Sequence, residues 1–356
     1  MWLNARRSAE ICEKFFPTIE GRDVQGGRKI LVDKISVVFT KWRSIKSLLA
    51  AINHYRFALS SLVHRIFISW NPSLGVPGIE LTRFKFIQEE PRVELITHRY
   101  ESVNNIWSPI PNLATAAVFL ADDEHLPDLE KLEITLETWR DNRHSLVGFF
   151  ARYHTRQRLV DGQSGASDLL ASGAADPQQS PPPPLNATES LEAAAAAAPS
   201  AVPPTMPPGP VNIADDQHLW IYNITGPRRP RPYSLLSSQL LLLSSDHLFT
   251  YTCLLPERIH REIDEMPDDA ADLAMNLMVA GMTGSRPILV KSDFVDPEAG
   301  RFAGESWALT RGQQLKDLVR LFTLGQRDPL QLNSVVVAQF NKIPFKKRSI
   351  KQWNKP

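Results

Sequence analysis

What this 356-residue chain lacks narrows the reading before any motif is sought. It has two cysteines, Cys12 and Cys253, which permit at most one bridge and stand in no metal-ligand spacing. A disulfide framework is excluded. No stretch approaches the ~20 apolar residues that span a bilayer. The most apolar run, Leu235 to Leu243, is broken by Ser237, Ser238 and Gln239. Residues 1–16 mix Arg6, Arg7, Glu10, Glu13 and Lys14 into their apolar positions, so no signal-peptide core is recognisable there. The expectation is a soluble protein, or one whose anchor is not visible in this sequence. Charge of one sign is also missing, since 40 Lys and Arg stand against 39 Asp and Glu. Without a broad field to gather a polyanion, nucleic acid is not an expected partner.

One composition break divides the chain. From about Gly162 to Gly209 it turns to Pro, Ala, Ser and Gly, with Pro181–Pro184 and Ala193–Ala198 in rows and no aromatic residue. Such a segment has little apolar surface to offset the entropy of ordering it, so it reads as a disordered insertion. The expected organisation is an N-terminal extension at 1–29, a first half at 30–160, the insertion at 161–215, a second half at 216–345 and a basic tail at 346–356. Two glycosylation sequons occur, at Asn186 and Asn223.

The first half alternates strand and helix patterns. Ile35 to Thr40 is a mostly β-branched or aromatic run suited to a buried parallel strand. Ser44 then caps a stretch with Ile45, Leu48, Leu49 and Ile52 at helical spacing. Arg65–Trp70, Val93–Thr97 and Ala116–Leu120 predict three more strands. Asp128 opens a helix bearing Leu129, Leu132, Leu136 and Trp139, and Leu146–Phe149 predicts a fifth strand. This spacing implies an α/β fold with a mainly parallel sheet and helices on both faces. Ligands of such sheets lie beyond the carboxyl ends of the strands.

Chemistry is therefore sought where strands end. Asp122-Asp123-Glu124 follows the strand directly. Three adjoining carboxylates repel one another unless a cation joins them, and hard oxygen ligands suit Mn²⁺ or Mg²⁺. The same triplet also reads as a solvated acidic turn before the Asp128 helix. In the second half, Asp272 precedes Leu273, Met275 and Leu277, which by pattern makes it the polar side of an amphipathic helix. Trp307 and Arg311 precede a helix with Leu315, Leu318 and Phe322. Lys346-Lys347-Arg348 reads as a solvated terminus.

Val118-Phe119-Leu120-Ala121-Asp122-Asp123-Glu124, then Trp139-Arg140, Val147-Gly148-Phe149 and Arg152-Tyr153-His154, together resemble the exostosin-like domain of glycosyltransferase family 64. Thr40-Lys41-Trp42-Arg43, Phe67-Ile68-Ser69-Trp70-Asn71 and Ser102-Val103-Asn104-Asn105 extend the resemblance upstream, and Asp272-Leu273-Ala274-Met275-Asn276 extends it downstream. The resemblance implies a fold of the GT-A type. It implies retaining transfer of N-acetylhexosamine from UDP-GlcNAc or UDP-GalNAc to a glycan or glycolipid, with Mn²⁺ or Mg²⁺ as cofactor. By the same resemblance, Asp123 and Glu124 would hold the metal. Thr40, Arg43, Asn71, Asn104, Asn105, Asp122 and Asp123 would hold the nucleotide sugar. Asp272 would stabilise the oxocarbenium-like centre and Arg311 the diphosphate. The compartment it implies is the Golgi or endoplasmic reticulum lumen.

The sequence departs from that pattern in several places. Glu124 replaces the usual Asp, Ala271 replaces the acid before Asp272, and Ile106 replaces an Arg. Ser244-Ser245-Asp246-His247 fits the acceptor segment poorly, and the family's paired cysteines near Asp272 have no equivalent. An active transferase and a degenerate copy that binds UDP or a glycan without turnover both stay open.

Overall fold

A computed structural model describes Cys12 and residues 30–74, 92–111, 113–158, 218–224, 232–267, 270–298, 305–323, 328–333 and 336–337. Most of the N-terminal extension and all of the insertion and the basic tail lie outside these residues, as do Asn186 and the final residue of the Asn223 sequon.

The first half folds as its alternation demands. Strand β1 (Leu31–Phe39) leads to helix α1 (Ile45–Phe57), then β2 (Val63–Trp70), β3 (Val93–Thr97), β4 (Thr115–Ala121), α2 (Leu129–Asp141) and β5 (Val147–Gly148). Ser44 caps α1 through a reciprocal exchange with Ser47, and the Asp128 carboxylate caps α2 by accepting from the Lys131 N–H. After β5 come β6 (Ala151–Arg158), β7 (His218–Ile224), β8 (Leu235–Leu236) and β9 (Leu241–Ser244). Helices α3 (Ser245–Phe249), α4 (Glu257–Glu265), α5 (Ala271–Thr283) and α6 (Glu305–Thr323) follow, with β10 (Ile288–Val290) between α5 and α6 and β11 (Val336–Val337) last.

Eight strands form the central sheet in the order β11-β10-β5-β9-β4-β1-β2-β3. All its pairings are parallel except those of β9, which runs antiparallel to both β4 and β5. The sheet is thus mainly parallel, as expected. The reversal arises in the leucine-rich stretch, where Leu240 turns the chain at φ 49° between β8 and β9. A second, antiparallel sheet of β7-β6-β8 branches off beside it.

Both faces of the central sheet are covered. Val37 and Phe39 of β1 pack with Leu48, Tyr55, Leu136 and Trp139 of α1 and α2 on one side. Val38 joins Leu273, Leu277 and Leu315 of α5 and α6 in the cluster on the other. Alternate residues of one strand therefore feed opposite cores, and each fully buried large apolar side chain contributes about 1.5–3 kcal/mol. Helix α5 is buried from Ala271 to Ala280 rather than amphipathic, and it stops at Gly284 in the left-handed conformation. None of the helices among the described residues is long and apolar enough to cross a membrane. Cys12 and Cys253 form a disulfide.

Candidate active site

Register fixes what meets at the carboxyl edge of the sheet. Phe39 pairs with Ile68 and with Ala121, and Trp70 pairs with Thr97. The residues that follow, Thr40, Asn71, His98 and Asp122, therefore stand along one edge. Trp42 and Trp70 pack there at 5.6 Å between ring centroids.

The acidic triplet divides its work. Asp122 folds back on its own turn, its Oδ1 accepting from the backbone N–H of Glu124 at 3.0 Å and of His125 at 2.6 Å, and its Oδ2 meeting His125 Nδ1 at 2.9 Å. That contact, foremost among several influences, raises the His125 pKa, while burial opposes it. Asp123 ties β4 to the turn after β1, since its Oδ2 accepts from the Arg43 backbone N–H at 2.9 Å and from the Ser47 hydroxyl. Glu124 pairs with Arg43 Nε at 2.6 Å, and both side chains are solvent-accessible. Glu124 is thus the carboxylate most open to exchange. No group of three or more His, Cys, Asp or Glu side chains placed to hold a metal occurs among the described residues.

Asn71 and Asn105 come together, with Asn105 Nδ2 donating to Asn71 Oδ1 at 2.7 Å and to the Tyr100 carbonyl at 2.9 Å. Asn104 faces the other way. Its amide nitrogen donates to the His260 carbonyl and to Asp264, and its oxygen accepts from the Tyr251 hydroxyl at 2.6 Å, which fastens the Val103–Trp107 turn to α4. The same turn reaches α5, because Trp107 Nε1 donates to the Ala271 carbonyl at 2.9 Å. A continuous path thus runs from the strand edge at Asn71 to the first turn of α5.

Asp272 stands in that first turn. Its Oδ1 accepts from the Leu273 N–H at 2.7 Å and from Arg311 Nη2 of α6 at 2.6 Å. The pair is buried, with Asp272 at 8% and Arg311 at 4% exposure. Burial pulls the Arg311 pKa down, but Asp272 and Tyr222 more than offset this and hold the guanidinium charged. Asn276, one turn along, locks α5 to β8 through bonds to both the N–H and the carbonyl of Leu236. Gly312 makes the approach of α6 possible, since a Cβ there would fall 2.0 Å from the Trp220 carbonyl oxygen of β7.

Sequence reasoning quoted Arg152 only as part of a motif. In the structure it is fully buried, and its guanidinium grips Asp296, with one contact at 3.0 Å, and Glu298 at 2.7 Å. It shares a face of the small sheet with Tyr222, as the pairing of Arg152 with Ile224 and of His154 with Tyr222 requires. Tyr222 lies under Arg311, 5.2 Å from ring centroid to Cζ. The segment that carries Asp296 and Glu298 also packs Phe294 on His125, ring centroids 5.6 Å apart, and so touches the acidic turn as well. Sequence distance hid this cluster: Arg152 lies 144 and 146 residues from its partners.

Acidic side chains thus stand beyond a parallel strand edge, and a buried carboxylate–guanidinium pair joins the first turn of α5 to α6. The chain belongs to the family described as "Glycosyl transferase family 64 domain", whose model matches residues 35–165 and 208–323. It is similar to the protein named "Glycosyltransferase family protein 64 C3" of Arabidopsis thaliana, 22% identical over 307 residues that cover 84% of this chain and 72% of that one. It is also similar to "Exostosin-like 2" of Mus musculus, 23% identical over 152 residues, 43% of this chain and 45% of the mouse protein. The chain is a glycosyltransferase-family protein of the exostosin-like kind.

Proposed function

We propose that this protein transfers an N-acetylhexosamine from UDP-GlcNAc or UDP-GalNAc to a glycan or glycolipid with retention of configuration, using Mn²⁺ or Mg²⁺. The observation that carries the reading is the buried Asp272–Arg311 pair at the start of α5, joined through Trp107 and Asn105 to the strand edge where the triplet stands. A carboxylate so held can stabilise positive charge at an anomeric carbon, and the paired guanidinium can meet a diphosphate.

The donor set fits a divalent ion only in part. Asp122 and Asp123 are spent on their own turn and on the β1–α1 turn, which leaves Glu124 as the carboxylate for the ion. One carboxylate plus diphosphate oxygens is a usual arrangement for such ions. When bound, the ion would supply neutralisation of the departing diphosphate. Arg43, which pairs with Glu124, would meet the nucleotide along the same edge if Glu124 held the ion. Thr40, Asn71 and Asn105 supply polar groups along the same edge, while Asn104 acts through the turn it braces.

Two further parts of the reading rest on lesser supports. A lumenal compartment suits the Cys12–Cys253 disulfide, which persists where thiols are oxidised. The second reading, a binder of UDP or glycan without turnover, is favoured by the internal bonding of Asp122 and Asp123. A UDP-release assay with each UDP-sugar, run with Mn²⁺, Mg²⁺ and chelator, separates the two. Metal-dependent release supports transfer. Stabilisation by UDP and metal without release supports the binder.

A further inference from the structure

Asn223 carries a signal that the glycosyltransferase reading does not use. With Ile224 and Thr225 it makes an Asn-Xaa-Thr triplet whose middle residue is not Pro, the pattern that accepts an oligosaccharide in the secretory lumen. Such triplets also arise by chance in any long chain. Whether a glycan has room to stand at Asn223 is decided by the fold.

The strand supplies that room. Asn223 is the second-last residue of β7, an outer strand of the small sheet β7-β6-β8. Tyr153 lies opposite it, and the pairs Thr155–Ile221 and Gln157–Leu219 share its face. On that face Thr155 is exposed, while Tyr153, Gln157, Leu219 and Asn223 are half-buried and Ile221 is buried. The opposite face bears the adjoining Tyr222, which packs on Arg311 and Trp307 of α6. Side chains alternate along a strand, so Asn223 is turned away from α6 and from the Asp272–Arg311 pair. A large polar adduct at Asn223 is thus directed to solvent, whereas one residue earlier it would have to displace α6.

The compartment is supported by an independent observation. Cys12 and Cys253 form a disulfide, and such bridges persist in oxidising surroundings. The secretory lumen is both oxidising and the place where these triplets are read. Bridge and triplet ask for the same surroundings.

We propose that Asn223 is an N-glycosylation site. Its amide nitrogen bonds to the anomeric carbon of an oligosaccharide carried on a lipid diphosphate. The bond from that carbon to the diphosphate breaks, the diphosphate leaves with the lipid, and the amide gives up one proton. The proposal rests on the lumenal compartment of the reading above, and not on its donor, metal or acceptor.

Mass analysis of the full-length protein, purified from the cells that make it, tests the site. Trypsin does not part Asn223 from the other sequon at Asn186, because no Lys or Arg lies between them. Digestion at acidic residues does, through Asp215 and Asp216. Peptide N-glycosidase is expected to strip a glycan from the Asn223 peptide and leave Asp in place of Asn. Asn223→Gln should lose that glycan completely, and Thr225→Ala, which keeps Asn223, should lose it too. UDP binding after deglycosylation should stay within about twofold of the untreated protein, as for sites that do not touch.

An unmodified Asn223 in protein that resists protease inside intact vesicles overturns the site and leaves the compartment standing. Unmodified protein that protease digests outside vesicles overturns site and compartment together. A glycan on Asn186 alone overturns the assignment as well. UDP binding that changes many-fold on deglycosylation overturns the placing of Asn223 away from the transfer site. Glycosylated protein that binds no UDP upholds this site and overturns the transferase reading.

Discussion

Arg311 and Asp272 lie 39 residues apart and meet at 2.6 Å in a buried pocket between α6 and α5. Their pairing sets the first prediction, since the two members differ in what their removal leaves behind. Arg311→Ala strands a buried carboxylate and is expected to cost about 3–5 kcal/mol of stability. Asp272→Asn leaves Arg311 an amide oxygen to bond and should cost about 1–3 kcal/mol. Transfer should nonetheless fall at least about 100-fold in Asp272→Asn, the effect of removing charge stabilisation at the reacting centre, with UDP affinity nearly kept. UDP-release kinetics and UDP titration on that variant are the check, and equal loss in both counts against its role.

Gly312 gives a second prediction. Alanine is ordinarily the better helix former by about 1 kcal/mol. Here its Cβ would sit 2.0 Å from a backbone oxygen, which no rotamer change relieves. The clash outweighs the propensity, so Gly312→Ala should destabilise by about 1–3 kcal/mol or more. Because α6 must lift off β7, Arg311 shifts from Asp272 with it. Thermal unfolding should show the loss, and UDP-release rates should fall further than the melting temperature alone explains. An unchanged melting temperature would mean that α6 does not lie so close to β7.

A third prediction separates Glu124 from Asp123, neighbours with different duties. The Arg43–Glu124 pair has side-chain exposures of 64% and 33%, so it contributes at most about 1 kcal/mol. Glu124→Gln should then leave the melting temperature nearly unchanged while raising the Mn²⁺ needed for half-maximal UDP release about tenfold or more, the scale of a lost metal contact. Asp123→Asn weakens bonds that close the β1–α1 turn, and it should lower the melting temperature as well. A manganese titration paired with unfolding curves distinguishes them. Loss of metal response in neither variant would remove the triplet from the site.

How far the sequence carried this reading depends on how local each signal was. The run β1-α1-β2-β3-β4-α2 was legible because each strand was a short apolar run and each helix announced its cap, Ser44 and Asp128. The placing of β9 was not. Four consecutive residues, Leu241–Ser244, carry no periodicity that fixes direction, and only pairing with both β4 and β5 makes the strand antiparallel. Asp272 was read as one side of an amphipathic helix, yet α5 is buried on nearly every side, since β8, α6 and the Val103–Trp107 turn all pack on it. Asn104 and Asn105 look equivalent in sequence, but the turn points one to α4 and the other to the strand edge. The bridge between Cys12 and Cys253 was allowed by their number and decided only by the fold.

The last prediction concerns acid stability. His247 on α3 is buried, and burial, ahead of the weaker influences of Asp246 and His144, lowers its pKa from 6.5 to about 4. The folded protein therefore holds it neutral, while the unfolded chain takes up a proton near pH 6.5. Between those values the unfolded state binds more protons, so stability rises with pH and is lost as pH falls from about 6.5 to about 4. The full shift corresponds to roughly 3 kcal/mol, an upper bound for one group. His247→Leu removes the titration and keeps an apolar body in an apolar site, so its stability should vary less over that window. Urea unfolding of both proteins at pH 7, 6, 5 and 4 measures the difference. Parallel curves would mean that His247 meets water or a partner that lets it charge in place, and the burial of that face of α3 would have to be redrawn.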